Sequence, residues 1–271
     1  MITICSVVRP GLCLLYYIIK EGCPLIKAIA FDFDHTLDVR IKAYDNLANA
    51  FFTYFTDYLR PGITCPEVLD AIKRADRTSF GRKRTAEEKS GSVDPGKHWM
   101  GIYNATLATG IFAREPGYDV YYYDFIENYF PQTIVLAPDT LPTLELLRRQ
   151  GYATGILTNG PSNFQRAKLV ATHMYEAVDA VVLCGDLERQ KPHALPFETI
   201  CREMSCRPEE AVYVGDNPIN DVDGARRAGM IPVWINSVGV WPEEIAPTPY
   251  TIQSIGEIPE LLKIIEQEAS L

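Results

Sequence analysis

The second half of the chain alternates short apolar runs with amphipathic stretches in a steady rhythm. Residues 152–157 (YATGIL) predict a strand and 163–173 a helix; 178–183 predict a strand and 194–204 a helix. Residues 211–214 (AVYV) predict a strand and 221–228 a helix, Ile231–Ile235 a last strand, and 258–266 a closing helix. One more apolar run, residues 28–33 (AIAFDF), stands far upstream and gives way to the polar turn Asp34-His35-Thr36. Strands that alternate with helices of this length imply a parallel sheet covered on both faces. The expected fold class is therefore α/β, a Rossmann-like core whose ligand lies beyond the carboxyl ends of the strands.

Between residues 38 and 138 the rhythm stops. Residues 43–58 carry Leu47, Phe51, Tyr54, Phe55 and Tyr58 at helical spacing, and 66–75 read as another helix. Residues 91–96 read as a loop, 99–112 as a helix, and 121–130 as an aromatic-rich helix. This pattern predicts a helical insertion, residues 39–137, between two parts of one core, 27–38 and 138–271. Residues 1–26 hold the apolar run LCLLYYII, eight residues and too short to span a bilayer, with only Arg9 ahead of it and no A-x-A-like cleavage site after it. They are read as a non-native or upstream-translated extension that contributes little to the fold, with Leu25 a natural first residue.

Charge narrows the partners. The net charge of −9 argues against nucleic acid as a general ligand, which wants a basic field. Seven cysteines without C-x-x-C spacing, Cys201 and Cys206 among them, read as reduced thiols of a cytoplasmic protein rather than a zinc site. No membrane partner is expected, and the oligomeric state is left open.

Four polar signals fall at or near predicted strand ends. They are Asp32-Phe33-Asp34-His35-Thr36; Thr158-Asn159-Gly160; Lys191-Pro192; and Gly215-Asp216, with Asp221 five residues beyond Asp216. Each alone has a plain structural reading: a turn, a solvated cation, or a helix cap at Asp221. The backbone at a Thr-Asn-Gly turn also suits a phosphate.

Taken in order, D-x-D-x-T, T-N-G, K-P and G-D-x-x-x-x-D resemble the four motifs of the haloacid dehalogenase superfamily. The resemblance covers roughly residues 27–38 and 141–262, and the place of the insertion resembles the helical cap of that superfamily's first subclass. It implies hydrolysis of a small-molecule phosphate monoester. Asp32 would attack phosphorus, and Asp34 would protonate the leaving oxygen and then activate water. Thr158, Lys191 and the backbone at Asn159 would hold the phosphate. Mg²⁺ would be bound by Asp32, Asp216 and the main-chain carbonyl of Asp34, with Asp221 orienting Lys191 or lying just outside the metal's ligands. A phosphomutase of the same chemistry is the alternative. A haloacid dehalogenase is less consistent, since the superfamily's dehalogenases do without the second aspartate and the metal.

The physics of the reaction asks for such a set. A phosphate dianion repels an anionic nucleophile, and its hydrolysis needs acceleration approaching ~10²¹-fold. One acid or base supplies only about 10²–10⁴ of that. A hard divalent cation and a lysine neutralise the charge and align the attack. The expected partner is a small phosphorylated metabolite. Lys73, Arg74, Arg77, Arg82, Lys83 and Arg84 read as a solvated face, with a second anion site as the other reading; Tyr118, Tyr121, Tyr122, Tyr123, Phe125, Tyr129 and Phe130 read as packing of the insertion, with stacking on a base or sugar as the other reading.

Overall fold

The computed structural model describes residues 26–80, 95–236 and 241–269. The extension expected over residues 1–26 lies almost wholly outside them, as do Cys5, Cys13, Cys23, Arg82, Lys83 and Arg84. Six strands, β1 (Ala28–Phe31), β2 (Ala153–Thr158), β3 (Ala180–Leu183), β4 (Ala211–Gly215), β5 (Ile231–Ile235) and β6 (Thr251–Ile252), form one sheet in the order β3-β2-β1-β4-β5-β6. Every pairing is parallel. The expected α/β class holds.

The sheet is buried on both faces because its strands are apolar at successive positions. Ile29, Phe31, Val212 and Val214 point to one side, onto Leu144, Leu147, Leu262 and Ile265 of the helices α4 (Thr140–Arg149) and α9 (Ile258–Ala269). Ala28, Ala30, Ala211 and Tyr213 point to the other, onto Phe197 and Ile200 of α7 (Ala194–Glu203) and Met204 just beyond it. Each side chain of Phe or Ile size removed from water contributes about 1.5–3 kcal/mol, so this period-two partition fixes the register firmly.

From β1 the chain builds outward to β2 and β3, then returns to lay β4 to β6 on the other side. The order reverses at β1, which makes the crevice at its carboxyl end the expected ligand position. Flanking the strands are α5 (Ser162–Ala171), the short α6 (Met174–Ala177) and α8 (Gly224–Arg227).

Between β1 and β2 lie α1 (Arg40–Tyr54), α2 (Cys65–Phe80), α3 (Pro95–Ala108) and a π-wound segment, Val120–Tyr129. They gather a core of their own around Phe51, Phe55, Tyr121 and Phe125, which Phe164 of α5 joins. Tyr121, Tyr122 and Phe125 are buried there, as packing requires, while Tyr123 and Tyr129 are exposed. Lys73, Arg74 and Arg77 are exposed. The two passages between sheet and helices run antiparallel, joined by Val39 N–H to Val135 O at 3.0 Å and Ala137 N–H to Leu37 O at 2.9 Å.

Several sequence expectations need correction. Pro95 and Gly96 belong to α3, not to a loop, because proline suits the first turn of a helix. Ile231–Ile235 is not the last strand: Thr251 and Ile252 pair with Trp234 and Ile235, a strand too short to show a period. The helix expected over 221–228 starts at Pro218 with π winding. No helix among the described residues is long and apolar enough to cross a membrane.

Candidate active site

The carboxyl end of β1 separates the two aspartates of the first motif. The Asp32 amide still donates to Val214 O at 2.9 Å, continuing the ladder. Immediately afterwards the chain curls back, with the amides of Thr36 and Leu37 donating to Phe33 O. His35 is left-handed at φ 65°, and its amide donates to the Asp38 carboxylate. That tight turn sends Asp34 away from Asp32, and each carboxylate finds its own lysine.

Asp32, 7% exposed, accepts from Lys191 Nζ at 2.8 Å. The same ammonium reaches Asp221 Oδ1 and the Tyr213 hydroxyl, each at 2.8 Å. Three donors and three acceptors thus match in a buried cluster, which is what such burial demands. Tyr213 in turn donates to Leu157 O at 2.9 Å, tying β4 to β2. Asn159 fixes the lysine's backbone from both sides, donating to Lys191 O and accepting from Lys191 N, both at 3.0 Å. Its side chain is therefore engaged, which leaves its main chain as the part that would face a phosphate.

Asp221 is 1% exposed and also accepts from Asn217 N at 2.9 Å. It lies across the end of β4 because residue 215 is glycine: a Cβ there would come within 2.4 Å of the Asp221 side chain. The turn at Asp216 is pinned by Trp234 Nε1, which donates to Asp216 O at 2.9 Å.

Asp34 has different company. Lys168 Nζ donates to its Oδ1, and Gln165 Nε2 donates to its Oδ2 at 2.9 Å. Gln165 Nε2 also donates to Thr158 Oγ1, linking the first and second motifs.

These surroundings push the carboxyls apart. Burial raises Asp32 well above the usual carboxylate range; Lys191 opposes this, while Asp221, Asp216 and Asp34 add to it. Burial also disfavours the charged form of Asp34, but Lys168 and His35, with hydrogen bonds from Lys168 and Gln165, outweigh it and hold that group low. Burial works against the Lys191 cation, yet Asp221 and Asp32 raise it well above its ordinary range.

Oxygens of Asp32, Asp216 and Asp221 lie within 4.8 Å of one another. Four carboxylates, Asp32, Asp34, Asp216 and Asp221, converge on the two ammonium groups of Lys168 and Lys191, an anionic excess that a divalent cation would offset. Burial pushes the nearby Cys184 thiol up to about 12. The donor set is hard and oxygen-based, which fits Mg²⁺ or Ca²⁺ rather than zinc.

All seven residues singled out from the sequence, Asp32, Asp34, Thr158, Asn159, Lys191, Asp216 and Asp221, meet at this edge. Sequence reasoning missed Lys168, Gln165 and Tyr213. A signal existed for the first two: both fall on the face of the predicted helix that carries Phe164 and Leu169, where an apolar residue was due. Tyr213 showed none, being one aromatic in an apolar strand.

The fold and site are those of an α/β protein that gathers an aspartate, a buried lysine and an acidic cluster at the tips of its central strands. Residues 26–229 match the haloacid dehalogenase-like hydrolase family, and the chain belongs to it. It is 34% identical to human N-acylneuraminate-9-phosphatase over 142 residues, 52% of this chain and 57% of that protein. It is 32% identical to (S)-2-haloacid dehalogenase 1 of a Pseudomonas strain over 132 residues, 48% of this chain and 57% of that one. The chain thus spans little more than half the length of these curated relatives. Among solved structures, a HAD phosphatase from Thermococcus onnurineus superposes with TM-score 0.59 at 27% identity, covering 88% of this chain and 98% of the other.

Proposed function

We propose that this protein is a magnesium-dependent phosphatase that cleaves a small-molecule phosphate monoester through an aspartyl-phosphate on Asp32. The observation that carries the reading is the presence of Asp34 and Asp216 around the nucleophile, each held by its own contacts. An alkoxide leaving group needs a proton and a dianion needs a cation, and these two residues answer those needs.

In this reading Asp32 attacks phosphorus in line while Lys191, the Thr158 hydroxyl and the Asn159 main chain hold the phosphoryl oxygens. Asp34, ionised in the free protein, takes up a proton as the dianionic substrate binds, gives it to the departing oxygen and afterwards takes one from the water that cleaves the acyl phosphate. Asp32, Asp216 and the Asp34 carbonyl would hold Mg²⁺, which supplies charge neutralisation. Asp221 keeps the Lys191 ammonium in place, the role its 2.8 Å contact supports. Residues 39–137 would act as a cap that selects the substrate, and the reduced cysteines Cys65, Cys184, Cys201 and Cys206 suit a cytoplasmic setting.

The test is a panel of sugar phosphates, nucleoside monophosphates and phosphoglycolate, assayed for free phosphate with Mg²⁺ and after chelation. Metal-dependent phosphate release from at least one of them is expected. Isomer formation without free phosphate would point to a phosphomutase, and no turnover at all would remove the proposal.

A further inference from the structure

Asp34 is the more exposed of the two first-motif carboxylates, with 37% of its side chain open, yet two buried side chains grip it. Both come from α5. Gln165 and Lys168 are three residues apart, a spacing that places them on one face of a helix. Each is only 2% exposed. A glutamine and a lysine removed from water need fixed partners, and Asp34 is the carboxylate supplied to both.

Gln165 has a defined orientation. In the free protein Asp34 is held ionised and only accepts, so the amide nitrogen of Gln165, not its oxygen, faces it there. That nitrogen has two hydrogens, and both are used: one on Asp34 Oδ2, the other on Thr158 Oγ1. The consequence falls on Thr158. With Gln165 donating into its oxygen, the hydroxyl keeps its own hydrogen for another acceptor, and here it reaches only Asn159 O at 3.4 Å. A phosphoryl oxygen at the strand end would be a better one. Lys168 is confined in its own way, its ammonium 4.7 Å from the ring centre of Phe164 and 5.4 Å from that of Phe33.

We infer that Gln165 and Lys168 are positioning residues for phosphoryl transfer: Gln165 aims the Thr158 hydroxyl at the phosphate, and the pair holds Asp34 over the reacting oxygen. The inference rests on the phosphatase reading above. It assigns α5 a task that none of the four motifs contains.

The test compares full-length wild type with Gln165→Leu, Lys168→Met and Lys168→Arg, in Mg²⁺, on glycerol 1-phosphate and on p-nitrophenyl phosphate. Losing a hydrogen bond to a charged group should cost roughly 10- to 100-fold in the step it serves. Gln165→Leu should raise KM and weaken inhibition by inorganic phosphate, each about tenfold. Lys168→Met should lower kcat on the alkyl ester more than it slows the p-nitrophenolate burst, whose leaving group needs no proton. Phosphoenzyme should then accumulate in acid-quenched samples read by mass spectrometry, and Lys168→Arg should restore part of the alkyl-ester rate. Should Lys168→Met fail to fold, Gln165→Glu, nearly isosteric, removes a donor and sets a second carboxylate beside Asp34; it must show the same KM rise. Unchanged kinetics, or an equal fall on both substrates that follows the loss in melting temperature, would overturn the inference while leaving the phosphatase standing. A wild type that releases no phosphate would overturn both.

Discussion

At the scale of single residues, Lys191 does two jobs with one ammonium: it would bind phosphate, and it keeps two buried carboxylates tolerable. Removing one partner of such a cluster leaves uncompensated charge, which typically costs about 3–5 kcal/mol. Lys191→Met should therefore lower the unfolding free energy by that amount in chelator, read as a lower urea midpoint at unchanged slope. Adding Asp221→Asn should recover part of the loss, a coupling that separates charge compensation from mere packing. A second buried-edge carboxylate makes a pH-dependent contribution. Glu210 accepts from Lys27 Nζ at 2.8 Å, from the Arg207 amide at 2.9 Å and from Arg207 Nη2 at 3.1 Å. Those contacts lower it from 4.5 to about 2. A depressed folded-state value means that the stabilisation is complete above 4.5 and fades as pH falls toward 2. The melting-temperature gap between wild type and Glu210→Gln should thus be widest near neutral pH and narrow below 4.5. A gap that stays constant down to pH ~3 would contradict the assignment.

At the scale of elements, the end of β4 shows how backbone and site are coupled. Gly215→Ala would drive a methyl into Asp221, whose carboxylate is held by Lys191 and the Asn217 amide and has little room to move. Overpacking of this kind costs about 1–3 kcal/mol. Calorimetry should show that loss, and turnover should fall further than stability because Lys191 loses its anchor. The same element illustrates what was legible beforehand. Its apolar run and the Gly-Asp that ends it are read directly from the sequence, as are β1, β2, β3 and β5, because a strand buried on both faces must be apolar throughout. Helix ends were less legible: α2, expected to end at 75, runs to Phe80, and α3, expected from 99, begins at Pro95. The two-residue β6 and the helix Thr140–Arg149 were missed outright. The second does have an apolar face, Leu144 and Leu147, but it falls where the expected insertion returns to the sheet. Within the site, motif residues declared themselves by their order along the chain. Gln165 and Lys168 did not, because an inward polar residue on a helix acquires meaning only once its partner on another strand is known.

At the scale of the whole molecule, the question is which reaction this arrangement serves, since relatives include both a phosphatase and a dehalogenase. The two reactions differ in what leaves. A halide departs from carbon as a stable anion, so neither an acid nor a metal is required. An alkoxide leaving phosphorus is strongly basic, and the phosphoryl group it leaves carries two negative charges. A protein built for the first would gain nothing from crowding Asp216 and Asp221 near Asp32, since each raises the cost of ionising the nucleophile. For the second, a cation makes the crowding useful. Mg²⁺ holds about six ligands near 2.0–2.1 Å, whereas Ca²⁺ takes six to eight at about 2.3–2.6 Å. The larger ion would draw Asp32 away from the line of attack. Chelation should therefore abolish phosphate release, Mg²⁺ should restore it, and Ca²⁺ should restore it poorly while still raising the melting temperature by occupying the carboxylates. Phosphate release that survives exhaustive chelation, or equal rates in the two ions, would contradict the metal's place among Asp32, Asp34 and Asp216. Halide release from a 2-haloacid at a rate rivalling phosphate release, and indifferent to chelator, would move the chain to the other chemistry altogether.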